Sequence, residues 1–430
     1  MLYRALCTPL GVQIELTTKC SNNCPHCYNY QRQDDDPDTT MSIEQLRSTF
    51  DALERARIFY VTLTGGEPQL FPDLLVEGIR LCAEKGFSCS VNTNLTVTSE
   101  SLISKMKKAG RFTILTSLAS CREEVHDTMM GRKGSFRRTL EGMGLLKKNG
   151  LGFSANMVVT QQNANQVYET GLFAHQLGAK SFSATKASPP LGCKDYSDIQ
   201  PSRDQVQRSL EDLLLLEEKT GISVDILECY PLCLIGDTAR YARFARRRCS
   251  AGILSGTVGS DGQVRPCSHS NRTYGNILED DLAVIYDRMN EWRTGELLPE
   301  KCLSCEHFAI CSGGCRCEAE YDSTIKGMDP YATNAGDVIL PRKSTDGFKI
   351  LSTTIFSVGL SVQFREEGFG FVLKKKRSVA MVGKEAGLLL KELQGRSMTL
   401  EEAALFSRSD PEKVAKVLRG LAWKRMVECI

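Results

Sequence analysis

Residues 11–27 read GVQIELTTKCSNNCPHC and join a predicted strand to a compact set of three cysteines. Residues 12–17 alternate apolar and polar side chains, which predicts a half-buried β-strand. Cys20, Cys24 and Cys27 follow at once, with gaps of three and two residues. Three thiolates on one loop can hold an iron–sulfur cluster, and a four-iron cluster held by three cysteines keeps one iron open to another ligand. A zinc site completed by His26 is the alternative, although structural zinc sites typically use paired Cys-x2-Cys units.

The first half of the chain alternates short apolar runs with longer amphipathic runs. Predicted strands cover residues 12–17, 59–64, 87–92, 113–118, 152–159 and 180–185. Helical patterns lie between them, among them residues 42–57, 73–85, 100–109 and 135–148. This alternation predicts parallel strands joined by helical crossovers. We therefore predict an α/β fold, a partial (β/α)6 TIM-like barrel over residues 1–200, whose site lies at the carboxyl ends of the strands.

A second group of cysteines lies further along the chain. The chain has 18 cysteines, and in a reducing cytosol a clustered set indicates metal or redox chemistry rather than disulfides. Its members are Cys249, Cys267, Cys302, Cys305, Cys311, Cys315 and Cys317. Residues 249–332 show little regular periodicity, and a domain held by metal ligands needs few apolar residues. We predict an irregular metal-binding domain here, after a bridging region at 201–248; a zinc ribbon is the alternative.

Composition excludes several classes of function. The 430 residues include 54 basic and 52 acidic side chains, so the formal charge is only +2. That balance gives no argument for nucleic acid or an anionic membrane as a partner. No run of about 18 apolar residues predicts a membrane span, and the N-terminus lacks the layout of a signal peptide. A cytoplasmic protein is the expectation.

The Cys-x3-Cys-x2-Cys loop, together with Gly-Gly-Glu-Pro at the end of the second predicted strand, resembles the radical S-adenosylmethionine (SAM) superfamily. That resemblance implies a SAM-binding [4Fe–4S] cluster at the three cysteines. It also implies SAM contacts at Gly65, Gly66, Glu67, Pro68, Asn94, Ser117, Arg132 and Asn156. The chain departs from the family where Leu95 replaces a glycine and where Ala119-Ser120 replace an Asp-Gly pair. The arginine that commonly meets the SAM carboxylate is displaced, and Arg132 is its nearest substitute.

The second cysteine group resembles the SPASM domain, the auxiliary-cluster extension of radical SAM enzymes that modify peptides and proteins. Its Cys315-Arg316-Cys317 unit resembles one in the pyrroloquinoline quinone enzyme of that family. By that resemblance, auxiliary cluster I, with four irons or two, is held by Cys249, Cys267, Cys315 and Cys317. Auxiliary cluster II would be held by Cys302, Cys305 and Cys311. Its fourth position stays open between Asp329, a substrate thiolate and Cys229 or Cys233, because the family's last cysteine is missing.

Residues 356–430 resemble the PqqD-like peptide-binding domain, also called the RiPP recognition element, and follow a predicted linker at 333–355. Predicted strands at 361–365, 369–373 and 379–382 precede helices at 384–393, 399–405 and 411–424. The resemblance implies that a leader peptide binds as an added strand at a sheet edge. Lys374, Lys375, Lys376 and Arg377 could meet an acidic leader. An ordinary winged-helix or dimerisation module is the alternative.

Together these features predict a maturase of a ribosomally synthesised peptide. The resemblance implies that the reduced cluster cleaves SAM to a 5′-deoxyadenosyl radical, which abstracts a substrate hydrogen. A crosslink (thioether, C–C or C–O) or a related oxidation would follow, with the auxiliary clusters as electron acceptors and flavodoxin or ferredoxin as the donor. No catalytic base is assigned, and His269 is interpreted as a loop residue. The alternative function is a maturase of a small cofactor or of a protein partner; an electron carrier would not need the Gly65-Gly66-Glu67 motif.

Overall fold

A computed structural model of the chain describes residues 5–29, 39–190, 195–333, 336, 338–339, 351–376 and 378–429. The chain divides into two compact units. The larger unit runs from Thr8 to Pro341, and the smaller unit contains residues 5–7 together with the described residues from 351 onward. No described helix has both the length and the apolar character required to cross a bilayer.

The larger unit is built on one sheet. Its described strands are β1 Gly11–Glu15, β2 Tyr60–Thr64, β3 Ser88–Thr93, β4 Phe112–Ser117, β5 Phe153–Val159, β6 Ser181–Lys186, β7 Ser223–Asp225, β8 Ser255–Val258 and β9 Val264–Arg265. The spatial order is β7-β6-β5-β4-β3-β2-β1-β8-β9, and every pair is parallel except β8–β9. Seven consecutive strands thus lie side by side in chain order. In a doubly wound sheet, the order in which successive strands are added would instead reverse at a switch point.

Helices connect these strands. The described helices of the larger unit are α1 Ile43–Arg55, α2 Pro72–Glu84, α3 Glu100–Ala109, α4 Glu123–Met129, α5 Ser135–Lys148, α6 Val167–Leu177, α7 Arg203–Thr220, α8 Leu232–Ile235, α9 Leu282–Arg288, α10 Glu291–Thr294, α11 Glu300–Leu303, α12 Phe308–Cys311 and α13 Arg316–Asp322. Local signals set their limits. Ser42 and Gln45 form a capping box at the start of α1, and the helix buries Leu46, Phe50 and Leu53.

The predicted parallel α/β sheet is confirmed, but the sheet is larger than the six strands expected. β7 extends it at one edge, so the sheet continues past the predicted barrel limit at residue 200. β8 and β9 come from the region predicted to be irregular, and β8 pairs with β1. A fully buried ion pair between Glu15 on β1 and Arg265 on β9 ties this addition to the first strand. The predicted domain limits stay predictions.

The smaller unit is an α+β module. Its described elements are β10 Ile355–Ser357, β11 Gln363–Glu367, β12 Gly370–Lys375, β13 Ser378–Gly383, α14 Lys384–Glu392, β14 Ser397–Thr399, α15 Leu400–Ser407, α16 Pro411–Trp423 and β15 Glu428–Cys429. β11, β12 and β13 form one antiparallel sheet, and β10 lies between β14 and β15 in another. The unit has its own apolar core, with Phe356, Leu373, Leu390 and Leu418 buried.

Two contacts in the smaller unit follow directly from sequence. α14 packs closely on β12, because a Cβ added to Gly387 would lie 1.9 Å from Phe371 Cδ2. Asp410 caps α16 by accepting from the N–H groups of Glu412 and Lys413. The expectation that Lys374 presents its charge to a leader peptide is wrong, because Lys374 is buried on β12. Arg377 lies outside the described residues.

Candidate functional site

The three clustered cysteines lie on the loop that follows β1. Cys20, Cys24 and Cys27 are each partly exposed. The Cys27 N–H donates to the Cys24 carbonyl at 3.1 Å, and the Asn22 N–H donates to Cys20 Sγ at 3.5 Å. The turn therefore presents three sulfur atoms from one short segment, with a backbone donor already directed at one of them.

The glycine pair after β2 holds this loop through its backbone. The Gly66 N–H donates to the Thr17 carbonyl at 2.6 Å, and the Glu67 N–H donates to the Lys19 carbonyl at 2.7 Å. A Cβ on Gly66 would lie 1.9 Å from the Lys19 carbonyl oxygen, and Gly65 has a φ of +128°. Both positions therefore require glycine for the approach of the cysteine loop. Their predicted contact with SAM stays a prediction.

Glu67 connects the ends of β2 and β3. Its side chain is fully buried and accepts from Gln69 N at 2.9 Å, Thr93 Oγ1 at 2.7 Å and Asn94 N at 2.7 Å. Burial raises the pKa of Glu67 to about 7, although these three donors act in the opposite direction. The carboxylate therefore orders the two strand ends beside the cysteine loop. Next to it, Pro68 starts a 3-10 turn over Pro68–Leu70, in which Pro68 and Gln69 are buried.

Asn94 contacts the cysteine loop directly. Its Nδ2 atom lies 3.7 Å from Cys20 Sγ and donates to Ser21 Oγ at 2.9 Å. Its Oδ1 atom accepts from the Thr96 N–H at 2.9 Å, which fixes the orientation of the amide. The amide therefore directs its N–H toward a cysteine sulfur, a contact that stabilises the thiolate form.

The segment between α4 and α5 closes the other side of the loop. The Arg132 guanidinium donates to the Ser21 carbonyl, and the Asn23 N–H donates to the Met130 carbonyl at 3.0 Å. Met130 Sδ lies 3.6 Å from Cys24 Sγ. Arg132 thus touches the cysteine loop.

Ser117, the last residue of β4, lies opposite Asn156 in the middle of β5. Both are half-buried, and Asn156 Oδ1 accepts from Thr185 Oγ1 on β6 at 2.9 Å. The carboxyl ends of parallel strands share one edge of a sheet. The predicted residues on β1 to β5 therefore converge on the edge that carries the cysteine loop.

Residues 14–174, which include this whole edge, match the Radical SAM superfamily. These residues therefore form a radical SAM domain. Enzymes of this superfamily use SAM and a [4Fe–4S] cluster, in agreement with the expected cofactors.

Several radical SAM proteins are similar to this chain over most of its length. The mycofactocin maturase MftC of Mycolicibacterium smegmatis is 28% identical over 341 residues, 76% of this chain and 83% of MftC. The AdoMet-dependent heme synthase of Methanosarcina barkeri is 27% identical over 335 residues, 72% of this chain and 92% of that protein. The crystal structure of Streptococcus suis SuiB bound to SAM has a TM-score of 0.62 at 20% identity, covering 76% of this chain and 78% of SuiB. SuiB has also been solved bound to the precursor peptide SuiA, with a TM-score of 0.61 at 20% identity over 75% of each chain. The likeness to SuiB shows a shared fold.

Elsewhere in the larger unit, five cysteines pack together in one cluster, three of them buried and two partly buried. The cluster contains Cys229, Cys249, Cys267, Cys315 and Cys317. Cys267 Sγ and Cys317 Sγ are 3.7 Å apart. From the sequence, Cys249, Cys267, Cys315 and Cys317 were expected to lie together as ligands of auxiliary cluster I. Cys229 was one of the candidates for the fourth ligand of auxiliary cluster II. The structure places Cys229 here, where its thiol contacts Cys249 and Cys315.

Four further cysteines surround a cavity of about 110 Å³. They are Cys233, Cys302, Cys305 and Cys311. Asp329, one of the ligands considered for this group, is turned away from it. Its two carboxylate oxygens accept from the N–H groups of Cys315 at 2.7 Å and Tyr331 at 2.9 Å. Cys229 and Cys233 are separated by three residues and precede the second cysteine region. This spacing is the sequence signal that could have assigned one cysteine to each group.

A buried ion pair lies beside the five-cysteine cluster and was not predicted. Lys186, at the end of β6, pairs with Glu318, and both side chains are fully buried. The ammonium lies 5.3 Å from the ring of Tyr230 and 4.9 Å from that of Tyr331. Burial raises the pKa of Glu318. A single lysine at a strand end gives no sequence signal of such a partner, because Glu318 lies 132 residues away.

Proposed function

We propose that this chain is a radical SAM maturase that installs a radical-derived modification, such as a crosslink or a related oxidation, in a ribosomally synthesised peptide. The observation that supports the proposal is the combination of a three-cysteine loop, two further cysteine groups and a separate unit in which the edge strand β13 has no outer partner among the described residues. SuiB, which has been solved with a precursor peptide bound, supports a peptide substrate.

The cysteine loop fits the cluster that the superfamily uses. Cys20, Cys24 and Cys27 would hold a [4Fe–4S] cluster with one iron open to SAM. Three thiols on one turn, with the Asn22 N–H and the Asn94 amide directed at Cys20, are a suitable donor set. When bound, SAM and the cluster supply a carbon-centred radical that abstracts hydrogen from the substrate.

The protein's own residues position these groups. The Gly65–Gly66 backbone and Glu67 fix the cysteine loop, and Pro68 fixes the turn that follows them. Asn94 directs its amide N–H at Cys20. Arg132, which donates to the Ser21 carbonyl, is proposed to bind the SAM carboxylate as well. Ser117 and Asn156, which lie opposite each other on the neighbouring strands β4 and β5, are proposed to contact the rest of SAM.

The two remaining cysteine groups would hold the auxiliary clusters of a SPASM-like domain. Cysteine supplies all ligands of most four-iron clusters, so four of the five thiols in the buried cluster are enough for auxiliary cluster I. Auxiliary cluster II would lie among the thiols around the cavity. Clusters at these places would accept the electron that the substrate radical loses when it is oxidised to the product. Flavodoxin or ferredoxin would supply the separate electron that starts the reaction.

The smaller unit would bind the leader of the precursor peptide, as a PqqD-like domain does. β13 has no strand partner on its outer side among the described residues. The Val379 carbonyl accepts from Lys424 Nζ at 2.9 Å, so the backbone groups of Val379 face away from β12. Such an edge can pair with an extended peptide through main-chain hydrogen bonds.

The function is tested by incubating reduced, reconstituted protein with SAM and synthetic peptides encoded by short reading frames next to its gene. We expect 5′-deoxyadenosine formation to rise when the true precursor is present, together with a mass change in that peptide. Deoxyadenosine and peptide mass are both read by mass spectrometry. The proposal would be contradicted if no peptide increased deoxyadenosine formation and no peptide changed in mass.

Val379→Pro is expected to weaken leader-peptide binding about fivefold or more. Proline removes the outward N–H of Val379, and one backbone hydrogen bond contributes about 1 kcal/mol. The ladder between β12 and β13 is kept, because that N–H does not face β12. Binding is measured by fluorescence anisotropy of a labelled leader peptide with the full chain.

Val379→Ala is the matched control for this variant, since it shortens the side chain and keeps the N–H. It should bind the leader as the wild type does. Equal weakening in both variants would show that the side chain, and not the backbone edge, contacts the peptide. Unchanged binding in Val379→Pro would exclude this edge.

The alternative is a maturase of a small cofactor, which the similarity to an AdoMet-dependent heme synthase favours. In that case a porphyrin precursor, and no peptide, would stimulate deoxyadenosine formation, and the smaller unit would have no affinity for a leader peptide. Adding a porphyrin precursor to the same assay distinguishes the two functions.

A further inference from the structure

The cavity lined by four cysteines contains one that no family motif assigns. Cys302, Cys305 and Cys311 belong to the recognised spacing, whereas Cys233 lies 69 residues before the first of them. We propose that Cys233 is the fourth thiolate of auxiliary cluster II. The inference rests on the proposed function, because it takes the second cysteine group to hold a cluster.

The cavity has the environment that such a cluster needs. Its wall is largely apolar, with Leu232, Phe308, Met328 and Val338 among the lining residues. The four sulfur-bearing residues come from short helices, namely α8, α11 and α12, and from the turn between α11 and α12. A largely apolar cavity lined by four cysteines matches the ligand count of a fully cysteine-bound four-iron cluster.

Backbone N–H groups are directed at two of the sulfurs. The Leu232 N–H donates to Cys311 Sγ at 3.4 Å, and the Thr333 N–H donates to Cys233 Sγ at 3.1 Å. Hydrogen bonds of this kind stabilise an anionic sulfur and tune a cluster's potential. Cys233 therefore accepts a backbone N–H hydrogen bond at its sulfur, as the recognised ligand Cys311 does.

The position of Cys233 is fixed from three directions. Arg203 Nη2 and Thr333 Oγ1 both donate to the Cys233 carbonyl at 3.0 Å. The residue also lies in the first turn of α8, which starts after Pro231. A thiol held in this way is preorganised at the cavity wall.

The competing ligands are occupied elsewhere. Both carboxylate oxygens of Asp329 accept backbone N–H groups beside Cys315, and Asp329 does not line the cavity. Cys229 belongs to the five-cysteine cluster. With Cys233 as the fourth ligand, no iron of cluster II is open to a substrate thiolate, so the cluster transfers electrons and does not bind the substrate.

The test uses the full chain with Cys20, Cys24 and Cys27 changed to alanine, so that only the auxiliary clusters remain. After anaerobic reconstitution this parent should hold about six to eight irons, because auxiliary cluster I has two irons or four. Adding Cys233→Ala is expected to remove between about one and four irons and to change the low-temperature EPR spectrum. Cys233→Ser, which keeps an oxygen ligand, should retain more iron than the alanine variant.

Cys121→Ala is the matched control, since this partly exposed cysteine lies in neither group; it should leave the iron content and EPR unchanged. Circular dichroism reports whether each variant is folded. The inference is overturned if folded Cys233→Ala keeps the parent's iron content and EPR spectrum. It is also overturned if Asp329→Asn alone abolishes the EPR signal of auxiliary cluster II. A shift of the parent's spectrum by excess 2-mercaptoethanol would reveal an open iron and would overturn it too. A parent without iron at the second group overturns it as well. The proposed function fails separately, by the absence of peptide-dependent deoxyadenosine formation in the wild type.

Discussion

Changing Cys20, Cys24 and Cys27 together to alanine is expected to abolish SAM cleavage. The three thiols stand on one loop after β1, and the other clustered cysteines form two separate groups. Wild-type protein should hold about ten to twelve irons, and the triple variant about six to eight, because one four-iron cluster is lost and the two auxiliary clusters are kept. Iron content and 5′-deoxyadenosine are measured after anaerobic reconstitution and reduction.

A second triple variant, Cys7→Ala with Cys121→Ala and Cys429→Ala, is the control, because these cysteines lie outside all three groups. It should keep both the iron and the cleavage of SAM. Zinc in place of iron, without SAM cleavage, would overturn the assignment of the site. Four irons or fewer with intact SAM cleavage would mean that the second and third cysteine groups do not hold two clusters.

Gly66→Ala is expected to reduce SAM cleavage by about a hundredfold or more. The added Cβ would lie 1.9 Å from the Lys19 carbonyl oxygen and 2.6 Å from that of Thr18. Both contacts are with backbone, so the loop that carries Cys20 must move, and a displacement of about 1 Å at a reacting centre can cost about a hundredfold in rate. Deoxyadenosine formation and iron retention are the measurements.

Gly144→Ala in α5 is the matched control for the added methyl group. No atom lies within 4 Å of a Cβ built there, so the substitution should be neutral in activity and stabilise the helix by about 0.5–1 kcal/mol. A Gly66→Ala variant as active as Gly144→Ala would show that the loop adapts, and would contradict the tight backbone contact between the Gly-Gly-Glu-Pro segment and the cysteine loop.

Sequence alone predicted the elements whose signals are local. The six strands β1 to β6 were placed within two residues at each end, because apolar runs bounded by helical patterns mark buried parallel strands. The cysteine loop and the Gly65-Gly66-Glu67 segment were found from their spacing. These features depend on neighbours in the chain, which a pattern can record.

Features that depend on distant contacts were missed. β8 and β9 are only four and two residues long, in a glycine-containing stretch, and they exist as strands because β1 offers an edge. The division of Cys229 and Cys233 between two groups also depends on the path of the chain between them. In the smaller unit, the run of basic residues suggested a charged surface, whereas β12 is buried from Gly370 through Lys374.

The ion pair between Glu15 and Arg265 has a consequence for biosynthesis. The strand that precedes the cysteine loop is flanked by β2 on one side and by β8 on the other, and its buried carboxylate meets its partner 250 residues later in the chain. A ribosome adding about 5–20 residues per second needs on the order of ten to fifty seconds to make that interval. Until then Glu15 lacks its counter-ion and the first sheet edge is unpaired. Insertion of iron into the first site is therefore expected to follow the release of the second cysteine region from the ribosome, which makes loading of the enzyme a late event in its synthesis.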